Sequence, residues 1–382
     1  RLNLHLELLK PNMKKQTVKF NLSDTPEFYK ELRKRVNAHF KENNITKNAN
    51  FNMKFKTAFM ICLYTVPFIL MATQMVSSTL GSYLMWVLMG FGMSGIGLSV
   101  MHDANHGSYS KNPRVNKILG GLVNMIGGYH VNWKIQHNVL HHSFTNVEGY
   151  DEDINNAWMR FSPSQKRRPF HKFQIIYGPM LYSLMTIYWL VSKDFEQVAR
   201  YEAQGLYEGQ GMTRKKALWT VIQNKSLYWI FTLILPMIFF PATWYHVLIG
   251  FMCMHLVSGM ALALIFQPAH VIEDTDFFLP DEDISVENNW AIHQLKTTTN
   301  FANKSIFFSW FVGGLNFQIE HHLFPNICHI HYKKIAPIVK QTAKEFNVPY
   351  YEYKTFTGAL YSHFKVLYQL GVGTYEEKNI AG

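Results

Sequence analysis

Four long apolar runs constrain this chain more than any other feature. Residues 57–76 and 83–101 carry almost no charge and are separated only by 77–82, while 226–240 and 245–267 are joined by Pro241-Ala-Thr-Trp244. A run near 20 residues matches the roughly 30 Å of a bilayer core, where a helix satisfies its own backbone groups. The runs therefore read as two transmembrane hairpins, with Trp244 and Tyr245 where interfacial aromatics belong. Residues 118–129 and 173–191 are apolar but shorter or interrupted by Gly and Pro, so they read as interfacial or partly buried segments.

Two hairpins return the chain to its starting side, so the N-terminal part, the region 102–225 and the C-terminal part share one face. Arg33-Lys-Arg35, Lys166-Arg-Arg168, Arg214-Lys-Lys216 and Lys333-Lys334 all fall there, and neither hairpin turn holds Lys or Arg. By the positive-inside rule that face is cytoplasmic. The net charge of +11 is spread along the borders of apolar runs, which suits a membrane surface and not nucleic acid. Mean hydropathy near zero averages apolar runs with charged connections. The expected organisation is an extended or non-native leader at 1–12, an N-terminal segment at 13–55, a membrane domain at 56–370 and a tail at 371–382. No secretory signal precedes the first run. The acidic sequence Asp-Glu-Asp-Ile occurs at Asp151 and again at Asp281, and both copies read as solvated loops.

Three cysteines without Cys-x-x-Cys spacing exclude a disulfide scaffold and a thiolate site, whereas 18 histidines are a surplus. His102-Asp-Ala-Asn-His106 closes the second run, and its four-residue spacing stacks two imidazoles on one helical face. His137-Asn-Val-Leu-His141-His142 repeats that spacing and adds a third ring. Gln318-Ile-Glu-His321-His322 forms a third cluster, and His270 lies just past the fourth run. The expected ligands are thus His102, His106, His137, His141, His142, His270, His321 and His322, all on one face. Imidazole alone does not select a metal. So many rings on several helices suggest two ions with positions open for dioxygen, which favours iron over a closed structural zinc. The Glu-x-x-His ligands of soluble di-iron bundles are missing from the sequence.

At this point the chain resembles the membrane fatty acid desaturases, marked by three histidine boxes around two transmembrane hairpins, over residues 55–370. Gln318 at the head of the third box resembles the front-end, linoleoyl-CoA desaturase-like (delta-6-type) branch. So do Trp133-Lys-x-x-His137-Asn, Thr145-Asn, Gly313-Gly-Leu-Asn-Phe-Gln318 and His322-Leu-Phe-Pro325. The resemblance implies an all-α integral membrane fold whose cytoplasmic helical cap carries a di-iron site. It implies two iron ions, dioxygen as co-substrate, and a cis double bond placed in a fatty acyl chain on coenzyme A or a lipid. No catalytic residue is implied beyond the metal centre. The location would be a bacterial inner membrane or the endoplasmic reticulum. Two departures stand out. Three residues separate His137 from His141 where many front-end members have two, and the His-Pro-Gly-Gly mark of a fused b-type cytochrome does not occur. A separate ferredoxin or b-type cytochrome is therefore expected to supply electrons.

Around the ligands, Gln318, Asp103, Asn105, Asn138 and Glu320 are candidates to orient imidazoles or a metal-bound water, followed by Glu148 and Asp153. His293, His329 and His331 lack paired spacing, and His329 and His331 are read as capping or bonding nearby backbone. His246 and His255, inside the fourth run, are read as structural. Arg167 and Lys334 are candidates for an acyl carrier's anionic head group. The rival readings are a hydroxylase, epoxygenase or ketolase on the same scaffold, and a transition-metal transporter.

Overall fold

A computed structural model describes residues 18–240, 242–280 and 284–376. The 1–12 leader, the second acidic run at Asp281 and the end of the tail lie outside them. The chain is mostly helical, and four helices are long and apolar enough to cross a membrane: Phe51–Ala72, Thr79–Asn105, Arg214–Phe239 and Trp244–His270. It departs from an all-α fold only by two short parallel strand pairs among the described residues, Lys19–Phe20 with Ser285–Val286 and Thr299–Phe301 with Tyr351–Tyr353.

Caps, and not hydropathy, fix where these helices begin. Asn50 accepts from the Met53 N–H, Ser78 from the Gly81 N–H and Thr213 from the Lys216 N–H. The third long helix consequently starts well before its apolar run. It keeps Lys225 buried by donating to the carbonyls of Gly127 (2.6 Å) and Trp189 (2.8 Å) and to the Asp194 carboxylate. The first long helix stops where Gln74 turns to a positive φ of 61°.

The second long helix is the enclosed one. Its apolar window is 72% buried, against 28% for the first and third, which turn Phe55, Phe59, Ile69, Phe231, Ile234 and Ile238 outward. Small residues let its neighbours close in: a Cβ on Gly92 would lie 2.5 Å from the Tyr64 nitrogen, and one on Gly90 2.7 Å from the Met254 carbonyl oxygen. The segment expected to be interfacial at 173–191 forms part of a helix pair, Pro169–Ser183 and Met185–Ala203, bent by 59°. The pair is apolar enough to count as a broken span or a re-entrant loop. Within 118–129 the chain forms the end of helix Pro113–Gly120 and the short helix Leu122–Met125, with Ile118 and Met125 exposed.

Beyond the long helices, Pro26–Glu42 packs Phe28, Leu32 and Val36 into one apolar cluster with Ile335 and Val339 of helix Tyr332–Glu345. Ile319 and Leu323 of the short helix Gln318–Leu323 join the same cluster. That anchoring leaves the adjacent His321 and His322 to face the ends of the second and fourth long helices.

Candidate metal centre

Regular helix hydrogen bonding gives way to i→i+5 bonding just before the first histidine box and through the second. The Met101 N–H bonds to the Ile96 carbonyl, and the His142 N–H to the His137 carbonyl. Such π turns absorb one extra residue and often mark functional sites. The turn over Ile135–His141 accounts for the three-residue spacing in the second box. It also sends His137 and His141 to different partners, although their rings stay stacked at 5.4 Å. The third box is led in by Gly313 and Gly314, both at φ +66°. A Cβ on Gly313 would overlap the Leu98 carbonyl oxygen, so this turn lies directly against the first π turn.

All eight expected ligands converge. His102, His106, His137 and His321 offer nitrogens within 4.8 Å of one another, and His141, His270 and His322 form a second such set. His142 joins the two, since it also groups with His321 and His322. Its Nε2 lies 2.9 Å from His321 Nε2 and 3.2 Å from His137 Nε2, while His102 Nε2 is 3.0 Å from His137 Nε2. His270, at the end of the fourth long helix, brings its ring within 4.7 Å of His141 and 4.8 Å of His322.

The outward nitrogens explain why the inward ones are free. His141 Nδ1 faces Asp151, His322 Nδ1 faces Gln294 Oε1 at 2.8 Å, His270 Nδ1 faces the Thr297 carbonyl at 3.1 Å, and His321 Nδ1 faces the Tyr332 hydroxyl at 3.2 Å. In a neutral ring an N–H held on Nδ1 leaves the Nε2 lone pair pointing inward, the form that binds a metal, and His141 reaches it on losing its second proton. Burial holds His106, His137, His142, His321 and His322 well below the usual imidazole range and therefore neutral. The Nε2 atoms of His106 and His322 are buried with no hydrogen-bond partner. Buried lone pairs that converge without a proton donor fit a cation. Burial also opposes charge on His141, but Asp151 and Asp153 outweigh it and raise that imidazole to about 9.

Several expected neighbours do something else. Asn105 donates to the Gly120 carbonyl, Asn138 to the Asn105 carbonyl, and Glu320 accepts from Asn300 and Tyr350, so none of these three takes a ring N–H from the centre. Burial raises the Glu320 carboxyl to about 7. Asp103 does accept an imidazole N–H, but from His329. Gln318 is buried beside the third box with its amide nitrogen unpartnered. Glu148 accepts from Ser164, away from the rings, whereas Asp153 stands 3.4 Å from His141 Nδ1. His293 bonds the Thr145 carbonyl and His331 the Asn48 carbonyl. Within the fourth long helix His246 meets Tyr83, and His255 meets Tyr228 and Thr186.

The first acidic run is not a solvated loop. Asp151 is fully buried, and Glu152 takes Gln197, Arg200 and Tyr201. Asp151, Gln294, Thr297 and Tyr332 thus hold four of the expected rings, a support that local spacing did not reveal. A small recess lies beside His141 and His270, walled by Ile154, Phe266 and Val271 with Asp153 and Gln267 at its polar side.

The sequence pattern of the family described as "Fatty acid desaturase" matches residues 78–354. The chain is 36% identical to an acyl-lipid (8-3)-desaturase of Physcomitrium patens, over 94% of this chain and 75% of that protein. It is 34% identical to a sn-1 linoleoyl-lipid 6-desaturase of Arthrospira platensis, over 94% of this chain and 97% of the relative. A protein of the same description from Synechocystis sp. is 35% identical over 90% and 95% respectively.

Proposed function

The chain belongs to the fatty acid desaturase family, and from that premise we propose that it is a front-end acyl-lipid desaturase whose eight histidines hold two iron ions. One observation carries the reading: the imidazoles form two overlapping sets joined by His142. Ion A would take His102, His106, His137 and His321, and ion B His141, His270 and His322, with His142 between them. The relatives' descriptions, acyl-lipid (8-3)-desaturase and linoleoyl-lipid 6-desaturase, favour an acyl chain on a lipid over coenzyme A and a new double bond near the carboxyl end.

Iron held by these histidines would supply, with dioxygen and electrons, the oxidising power needed to remove two hydrogens from adjacent methylenes. The balance is one dioxygen, two electrons and two protons in, with one alkene and two waters out. The protein's part is position. Asp151, Gln294, Thr297 and Tyr332 fix the rings, burial keeps bulk water from the nitrogens, and Ile154, Phe266 and Val271 offer apolar walls for a methylene pair next to His141 and His270.

The sequence supports residues 56–370 as the membrane domain, with two hairpins and the centre on the cytoplasmic side, in a bacterial inner membrane or the endoplasmic reticulum. A ferredoxin or b-type cytochrome would deliver the electrons. The transporter reading suits ligands at mid-membrane in broken helices. Here His106 and His270 stand at helix ends. Feeding defined fatty acids to an expression host and locating the product's double bond tests the proposal. A new cis alkene between an existing one and the carboxyl end is expected. A hydroxy acid with no new alkene would transfer the chain to the hydroxylase reading.

A further inference from the structure

A charged side chain buried within a membrane-spanning helix is costly, and it calls for a named partner and a function. The first long helix buries Lys56 to 1% exposure. Its ammonium lies 2.7 Å from His329 Nε2 and 5.2 Å from the centre of the Trp310 ring. An ammonium only donates, so His329 Nε2 accepts and the single N–H of a neutral ring sits on Nδ1. That N–H donates to Asp103 Oδ2 at 2.8 Å, and the His329 backbone N–H adds a second bond at 3.2 Å. The other carboxylate oxygen, Oδ1, lies 4.0 Å from His102 Nδ1.

This row links three parts of the chain: the start of the first long helix, the segment after the third box, and the end of the second long helix. It is buried throughout, with His329 at 4% and Asp103 at 1% exposure. The second set of rings has a counterpart. There Asp151 stands behind His141, and the backbone N–H groups of Asn146 and Asp153 fix its carboxylate. Asp103 is held by both the ring and the backbone N–H of His329, whose other ring nitrogen meets Lys56. Cys328 also lies close enough to Asp103 and His329 to complete a metal-binding trio. Lys56 already supplies the positive charge there, and the proton on His329 Nδ1 points at Asp103, so a third metal is not needed.

We propose that Lys56 and His329 are positioning residues which hold Asp103 behind His102 and so set how tightly ion A is gripped. The inference rests on the reading of the His102 set as an iron site. Outer partners of metal-bound histidines typically change metal affinity by about 10–100-fold.

The test is a timed chelator challenge on full-length protein in detergent, loaded anaerobically with ferrous ion, reading iron per chain and the melting temperature of the iron-free form. Wild type should hold two ions. Lys56→Met and His329→Leu should each release one ion about 10–100-fold faster, and Lys56→Arg should stay near wild type. Asp151→Asn should speed loss of the other ion, and Lys56→Met with Asp151→Asn should speed both. A merely structural lysine would lower the iron-free melting temperature without separating the two ions. Folded Lys56→Met or His329→Leu protein that releases both ions at the wild-type rate overturns the proposal. A wild type that binds no iron overturns the iron reading as well.

Discussion

His141 Nδ1 lies 3.1 Å from both carboxylate oxygens of Asp151, a side chain with no exposure to solvent. The carboxylate fixes the ring's tautomer and strengthens its other nitrogen as a donor. Asp151→Asn keeps the shape and removes the charge. Iron retention and desaturation should fall together by about 10–100-fold, read as iron per chain and as alkene formed per hour. Unchanged iron content would show that the carboxylate only supports the loop.

Metal binding should also depend on pH through His141. In the metal-free chain Asp151 and Asp153 raise this imidazole to about 9 against the pull of burial. Its folded value is above the unfolded one, so the charged ring stabilises the folded chain fully below pH 6.5, and that contribution fades as pH rises through about 9. A metal must displace this proton. Affinity should therefore climb with pH up to about 9 and then level off, with one proton released near pH 7.5. Calorimetry in buffers of different ionisation heat reads the proton directly. Asp151→Asn should flatten the slope.

The parts legible in the sequence were those with a local period. Four apolar runs announced four helices, and i, i+4 spacing announced the first two boxes. Helix starts escaped because caps at Asn50 and Thr213 sit outside the apolar windows. The partners of the rings escaped for a different reason: Gln294 reaches His322 across 28 positions and Thr297 reaches His270 across 27. No short spacing encodes such pairs. Asp151 was hidden in an acidic run whose composition reads as surface, yet Asp151 and Asp153 both stand at His141 while Glu152 takes Gln197, Arg200 and Tyr201. The extra residue in the second box was visible, but its resolution into a π turn was not.

Gly313 tests how firmly the third box is set against the first. Its φ of +66° and the close approach of the Leu98 carbonyl oxygen to where a Cβ would stand leave no room for alanine. Gly313→Ala should destabilise the protein by about 2 kcal/mol or more, lower its melting temperature in detergent and reduce bound iron. Gly209→Ala, with open space around it, should do neither.

The central claim is that the joined histidine sets drive desaturation, and a single turnover tests it most directly. Purified iron-loaded protein is given an acyl lipid, reduced chemically by two electrons per chain and exposed to dioxygen, and the lipid is analysed by mass. The account predicts close to one new alkene per chain for wild type and none for His142→Ala, whose ring joins the two sets. A His142→Ala protein that forms the alkene as well as wild type, or a wild type that yields only hydroxylated lipid, would contradict it.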